Sequence, residues 1–359
     1  MRRPPRPTLF PYTTLFRSSS ALDPFVNTLR AHIQPDFNID FALQGMRTNN
    51  GLAFLHRVKG DADIYFVSNI QEVVSSIPVT FRVQGKVPWR WNPCNGDISA
   101  MPAYREHRGG TEIPLQLQPY ESCFVVFEPG QGAHVIQSDL AEITAVGARG
   151  VEGVVMKNGV YSVAVAGPGG HKTASLSVND ALAPLYINGS WRLRMPLARG
   201  AALDTSFSRL FSWTEVERTK HFSGAAEYEI DFDVPKAYVR ADIQMVLDVG
   251  RVGNVAEILI NGKKAGTIWM RGQFCPLHGL VRAGKNHLKV VVTNTLINRV
   301  AGWSAPPPVP EELVAHYGSG VTDESRALRG PIGFRALPAS GLLGPVQILV
   351  QKKVTLALP

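Results

Sequence analysis

Three carboxylate pairs, Asp61/Asp63, Glu215/Glu217 and Glu227/Glu229, have the residue types that acid–base hydrolysis requires. In that chemistry one carboxyl protonates a leaving oxygen while a second, about 5–10 Å away, acts as base or nucleophile. On an extended strand, side chains at i and i+2 point the same way, so the spacing is met equally well by a solvated face. Asp61 falls in a Gly-Asp turn, and Glu227 and Glu229 alternate with Tyr228 and Ile230 as the polar side of a strand does. All three pairs therefore read first as surface. Gly167–Thr173, GPGGHKT, has the glycines and lysine of a phosphate loop. However, His171 rather than Gly precedes the lysine, and the following ASLSV has strand character where a phosphate site needs a helix N-terminus. A tight hairpin turn is the preferred reading. Asn188-Gly189-Ser190 is formally a glycosylation sequon and also fits a turn entering a strand. Cys94, Cys123 and Cys275 lie far apart with no CxxC or Cys/His spacing, so no zinc site or other metal site is expected. One disulfide and three free thiols both remain open. Nine scattered histidines form no Ser/His/Asp or Cys/His arrangement.

The aromatic residues are more informative. Trp213, Trp269 and Trp303 fall near strand ends or loops of the C-terminal half, with Arg271, Asn298 and Arg299 close in sequence. A sugar offers polarised C–H faces that stack on indole, and Arg and Asn side chains reach its hydroxyls. These six residues are the carbohydrate-binding candidates. The competing reading is that tryptophans fill sandwich cores, as Trp191 is expected to do.

The elements that position these residues are mostly short strands. The 359 residues allow two or three domains, and 33 Gly with 26 Pro suit many strands joined by turns. No apolar run approaches the roughly 18–20 residues of a membrane-spanning helix, so no membrane partner is expected. The formal charge of +8 includes Arg2, Arg3, Arg6 and Arg17 in an acid-free opening stretch; beyond it the balance is 33 basic to 29 acidic residues, with no basic stripe for nucleic acid. Residues 1–18 lack periodicity and a signal-peptide h-region. Asp23–His32 reads as a short helix with Asp23 as N-cap and Pro24 at N1, too short to stand without a body to pack on.

From Leu52 the pattern becomes strands: Leu52–Val58, Asp63–Ser68, Val79–Val83, Ile113–Leu117 and Cys123–Phe127, punctuated by turn signals such as Lys59-Gly60-Asp61. Residues 131–184 form a weaker β-rich segment, with Val151–Val155 and Tyr161–Ala166 its clearest strands and Lys157-Asn158-Gly159 predicted as a hairpin turn. A second sandwich follows near Leu185, with strands at Trp191–Arg194, Ala226–Phe232, Ile243–Leu247, Ala256–Ile260, Thr267–Met270, His287–Asn294 and Val346–Val350. Asn261-Gly262 is its strongest hairpin signal, and Pro306–Pro310 with EELVAHYG marks a long loop carrying one helical turn. The fold class is thus mainly β, two antiparallel sandwiches with one short N-terminal helix.

Two stretches resemble a known family. FLHRVKGDADIYFVSN (54–69), VTFRVQGKVPWRWNPCNGDI and IPLQLQPYESCFVVFEP are similar to the sandwich that follows the catalytic barrel in glycoside hydrolase family 106, the α-L-rhamnosidases. His56, Arg57, Gly60, Asp61, Asp63, Tyr65, Asn69, Trp91, Pro93, Gly96, Pro119, Tyr120 and Phe127 carry the match. SWTEVERTKHFSGAAEYEIDFDVP, LDVGRVGNVAEILINGKKAGTIWM and AGKNHLKVVVTNTLINRVAG resemble the galactose-binding-like jelly roll, the sugar-binding domain of family 2 glycoside hydrolases. The sequence departs from the family pattern at Met270-Arg271-Gly272-Gln273. Residues 1–18 resemble the conceptual translation of a sequencing adapter.

The resemblance implies an artefact over 1–18, a remnant of an upstream catalytic domain over 19–50, a sandwich over 51–130, a connecting segment over 131–184 and a jelly roll over 185–355. It implies that catalytic glutamates and any calcium belong to an upstream barrel, so no catalytic residue and no cofactor is expected here. The expected role is a non-catalytic C-terminal part that braces that barrel and contacts rhamnosylated or pectic carbohydrate, in a periplasmic or extracellular parent. The alternatives are a free-standing carbohydrate-binding module and a purely structural or interaction protein.

Overall fold

The computed structural model describes residues 28, 32–39, 51–197, 201–302, 310–317 and 337–359. Of the helix predicted at Asp23–His32, Thr28 and His32 are helical and the rest lies outside the described residues.

The first sandwich uses nine strands: β1 (Phe37–Ile39), β2 (Leu52–Lys59), β3 (Ala62–Asn69), β4 (Ser75–Phe81), β5 (Lys86–Trp91), β6 (Ile98–Ala100), β7 (Arg105–His107), β8 (Gly110–Leu117) and β9 (Ser122–Pro129). They form two sheets, ordered β1-β4-β8-β7 and β2-β3-β9-β5-β6. Between them lies a core built on Tyr65, Phe81, Phe127, Leu115 and Leu117. The predicted Gly60-Asp61 turn is present: β2 and β3 pair from Lys59↔Ala62 to Leu52↔Asn69, and Gly60 takes a φ of +58° that a side chain would resist.

The middle segment has a core of its own. It comprises β10 (His134–Ser138), β11 (Glu142–Gly147), β12 (Gly150–Val155), β13 (Gly159–Gly167) and β14 (Gly170–Val178). GPGGHKT is the tight β13–β14 hairpin, closed at Gly167↔Gly170. Lys157-Asn158-Gly159, by contrast, does not form a hairpin. β13 pairs with β10 and β14, whereas β12 pairs with β11 and the last strand, so the turn carries the chain between two sheets. The Asn158 carboxamide oxygen accepts the Ala181 backbone N–H at 2.8 Å and fixes this crossover. Hairpin and crossover turns use the same residues, which explains the misreading.

The C-terminal sandwich contains β15 (Leu185–Tyr186), β16 (Trp191–Met195), β17 (Leu203–Phe207), β18 (Ala225–Val234), β19 (Ile243–Asp248), β20 (Arg251–Gly253), β21 (Val255–Ile260), β22 (Lys263–Ile268), β23 (Cys275–Pro276), β24 (Gly284–Thr293), β25 (Gly341–Gly344) and β26 (Gln347–Leu356), with short helices α1 (Ile297–Ala301) and α2 (Glu311–Tyr317). Its large sheet runs β17-β16-β18-β24-β21-β22. Asn261-Gly262 is the β21–β22 turn, both residues in the left-handed region as a two-residue hairpin demands. The inner face supplies Leu193, Tyr228, Ile258 and Val290 to the largest core.

The outer face of that sheet is an ion-pair ladder in which strands alternate in sign. Acidic β17 faces basic β16 through Arg192–Asp204 (2.7 Å), and β16 faces acidic β18 through Arg194–Glu229 (3.7 Å). Lys289 of β24 pairs with Glu227 of β18 at 2.8 Å, and Lys264 of β22 with Glu257 of β21 at 3.5 Å. Opposite charges across strands stabilise a sheet that faces water. Glu227 and Glu229 are therefore held by cations, as their alternation predicted.

β26 ties two of the cores together. Its first half pairs with β19 and β15, and its second half pairs with β12. Ile348 and Val350 enter the C-terminal core, while Val354 and Leu356 enter the middle one. Between them Lys352 bonds Asp180 (2.9 Å) and Asp242 at the seam. Hydrogen bonds from Arg240 and Lys352 hold the Asp242 carboxyl well below the usual carboxylate range.

Candidate functional site

Strand register places the exposed tryptophan of the C-terminal sandwich. Ile268 pairs with Ala256, which pairs with Val292, so Trp269 sits one step beyond, level with the end of β24. Two strand spacings separate them, about 10 Å. Ile268 is buried, and by alternation Trp269 turns outward, 53% exposed. Its loop is fixed from within: the Trp269 and Met270 amides both donate to Gln273 Oε1, at 2.9 and 3.0 Å. On the same outer face and at the same end lies an open depression of about 360 Å³, floored by Ala225 and Val291 and flanked by Arg194 and Glu227. The depression is separate from Trp269, which by sheet order lies three strands from Glu227 and four from Arg194, about 14 and 19 Å across the sheet.

The same loop abuts the first sandwich. Arg271 pairs with Glu72, and a Cβ on Gly272 would come within 2.3 Å of the Gln118 side chain. Glu72 and Gln118 belong to two loops joined by the buried Asn69. Its Nδ2 donates to Val73 O (2.8 Å) and Gln118 O (2.9 Å), and its Oδ1 accepts the Gln71 N–H (3.0 Å). The segment Met270–Gln273 thus bridges the two sandwiches.

The remaining candidates go elsewhere. Trp213 has no exposed surface; its indole N–H donates to Tyr228 Oη at 2.6 Å and its ring lies 6.5 Å from that of Tyr228, nearly parallel. It cannot stack on a sugar, because a tryptophan beside a strand end closes a core as readily as it lines a site. Asn298 is also buried. Its Nδ2 donates to Ser340 Oγ at 2.9 Å and its backbone carbonyl lies 2.9 Å from His221 Nδ1. Arg299 is exposed on α1, its backbone N–H on Ser223 Oγ at 3.2 Å. Trp303 lies outside the described residues.

The family-motif residues around His56 form a second cluster, and it is a clamp. His56 Nε2 lies 3.0 Å from Asp63 Oδ1, Lys86 Nζ donates to Asp63 Oδ2 at 2.7 Å, and Arg82 pairs with Asp36. The His56 ring lies flat on buried Tyr65, centroids 4.1 Å apart. Partial burial raises the Asp36 carboxyl, but hydrogen bonds from Arg82 and His56 outweigh it and hold the group below its usual range. These contacts fasten the segment entering β1 onto β2, β3 and the β4–β5 turn. Among the described residues no group of three or more His, Cys, Asp or Glu could hold a metal ion. Glu215 accepts the Ser212 N–H in a capping box, and Glu217 pairs with Lys220.

All three cysteines are free, Cys94 exposed and the other two buried. Burial pushes the Cys123 and Cys275 thiols up to about 11. Because the thiolate is the reactive form, an aromatic disulfide reagent at pH 8 is expected to label one thiol in the native protein and three after denaturation. A native count of two or three would contradict the burial of Cys123 and Cys275.

Comparisons with known proteins agree with this architecture. A model of glycoside hydrolase family 106, alpha-L-rhamnosidase, matches residues 19–106. A protein of Formosa agariphila named "Putative beta-glucuronidase" is 33% identical over 199 residues, which cover 51% of this chain and 17% of that protein. The solved structure of a rhamnosidase from Novosphingobium sp. PP1Y aligns with 91% of this chain at 26% identity and a TM-score of 0.57. The chain spans 26% of that rhamnosidase. Together these likenesses support a glycosidase-related protein similar to the family 106 rhamnosidases.

Proposed function

We propose that this chain supplies the non-catalytic β-part of an α-L-rhamnosidase-type glycoside hydrolase. In this reading its sandwiches brace a catalytic barrel, and the C-terminal one, a galactose-binding-like jelly roll of the family 2 kind, contacts rhamnosylated or pectic carbohydrate. The whole enzyme, periplasmic or extracellular, would hydrolyse a terminal α-L-rhamnosyl bond by protonation of the leaving oxygen and attack at the anomeric carbon. The catalytic carboxylates and any calcium would belong to the barrel. The observation that carries the reading is the likeness to the Novosphingobium rhamnosidase, which runs through 91% of this chain yet occupies 26% of that protein.

Within this role, Trp269 is the sugar platform, exposed at the end of β22 on a loop fixed by Gln273. Titration of the chain with a methyl α-L-rhamnoside is expected to give millimolar binding, about −4 kcal/mol. Trp269→Ala should weaken it by about tenfold or more, a loss of about 1.4 kcal/mol or greater. Equal binding by the variant would remove the site. Turnover of an aryl α-L-rhamnoside by the chain would overturn the non-catalytic role.

A further inference from the structure

The two large sheets treat their outer faces in opposite ways. In the C-terminal sandwich the outer face is the ion-pair ladder. In the first sandwich the outer face of β2-β3-β9-β5-β6 is crossed by an unbroken apolar row. The register runs Leu55↔Phe66, Phe66↔Phe124, Phe124↔Trp91 and Trp91↔Ile98, one residue from each of five strands. The next row runs from Arg57 through Ile64, Val126 and Trp89 to Ala100.

An antiparallel sheet at a surface normally alternates apolar-in with polar-out. Here Tyr65, Val67, Cys123 and Val125 point into the sandwich core, while Phe66, Phe124 and Val126 between them point away and join none of the three cores among the described residues. Leu55 and Ile98, at the two ends of the row, are 52% and 58% exposed. Five strands about 4.8 Å apart and four residues along each give an area on the order of 300 Å². A contiguous apolar patch of that size on a soluble protein is often functional.

We infer that this face is the seat of the glycosidase's catalytic domain, docked through a complementary apolar surface. The inference rests on the accessory role proposed above. Two facts favour that occupant. The rhamnosidase family match over residues 19–106 contains β2, β3, β5 and β6, four of the five strands of this sheet. About three quarters of the Novosphingobium rhamnosidase lies outside its alignment with this chain, which leaves ample protein to cover the patch.

The test uses the full chain and, as probe, the portion of the Novosphingobium rhamnosidase outside the aligned quarter, produced as a separate polypeptide. Sedimentation and titration should show a complex with the wild-type chain. The Leu55→Asp/Ile98→Asp double variant should weaken it about tenfold or more, since two carboxylates would be buried in an apolar contact. Both side chains are already half exposed, so an unchanged melting curve for the variant should verify its fold. Lys285→Ala, which removes the β24 cation paired with Asp231 at 3.3 Å on the outer face of the C-terminal sandwich, should bind as wild type. A double variant that binds like wild type would overturn the docking face and leave the accessory role standing. No complex with the wild-type chain would overturn both. Self-association of the wild type that the double variant abolishes would reassign the face to contact between two copies of this chain.

Discussion

Replacing Trp213 by alanine is expected to destabilise the C-terminal sandwich by about 3–5 kcal/mol, the range for deleting a large aromatic from a closed core. The side chain is fully buried, edge-on to Phe222 with ring centroids 5.3 Å apart. It is also a hydrogen-bonded junction. Trp213 N donates to Ser340 O at 2.9 Å, and Thr219 Oγ1 donates to Trp213 O at 2.8 Å. Tyr228 Oη receives both the indole N–H and the Leu342 N–H, at 2.6 and 3.2 Å. Burial pushes the Tyr228 hydroxyl up to about 12, against the opposing effect of those two donors. Tyr228→Phe should then cost about 1–3 kcal/mol by leaving the indole N–H unsatisfied. Urea unfolding of the two variants checks both values. Trp269→Ala is the contrast: as a surface change it should stay within about 0.5 kcal/mol of wild type. Equal losses for Trp213 and Trp269 would contradict the division into a core and a site tryptophan.

Asn69→Ala should cost about 3 kcal/mol or more, because one buried carboxamide satisfies two carbonyls and an amide at once. The loss would be regional. The loops at 70–74 and 118–121 would lose their common anchor, and with them the surface against which Arg271 and Gly272 pack. Hydrogen exchange should accelerate in residues 70–74 and in 269–273 together, although the two segments belong to different sandwiches. Asn69→Asp should not rescue the fold, since it keeps the acceptor for Gln71 but removes both donors and introduces a buried charge. Exchange confined to 70–74 would show that the contact with the C-terminal sandwich stands without Asn69.

The turns were the most legible part of the sequence. Gly60-Asp61, Asn261-Gly262 and Gly167–Gly170 each need a left-handed or unusually tight backbone, and only certain residues permit it. Strand frames were harder. Val79–Val83 was expected and Ser75–Phe81 is found, because Pro78 and the serines carry little β signal yet pair fully with β8. Four of the six site candidates separated once tertiary packing was known. Trp213 and Asn298 are core, Arg271 is a tie between sandwiches, and Trp269 remains a surface plate. Local sequence could not divide them, since a tryptophan at a strand end has the same neighbours in either role. The apolar outer row was missed although its signal was present. Ile64–Val67 and Cys123–Phe127 are continuous apolar runs, which imply a strand covered on both faces.

The shared strand β26 also bears on the order in which the protein can be completed during synthesis. Val151 of β12 pairs with Leu356, about two hundred residues later, and Ile243 of β19 pairs with Lys352. Neither the middle core nor the C-terminal one can close until β26 has left the ribosome. The nine strands of the first sandwich pair only with one another, so its two sheets can form while the later strands are still being translated. Long-range pairing of this kind slows folding and leaves β12 and β19 with open edges in the meantime, which invites mispairing between nascent chains. The ten residues from Gln347 to Leu356 thus act as a late latch that completes two units at once.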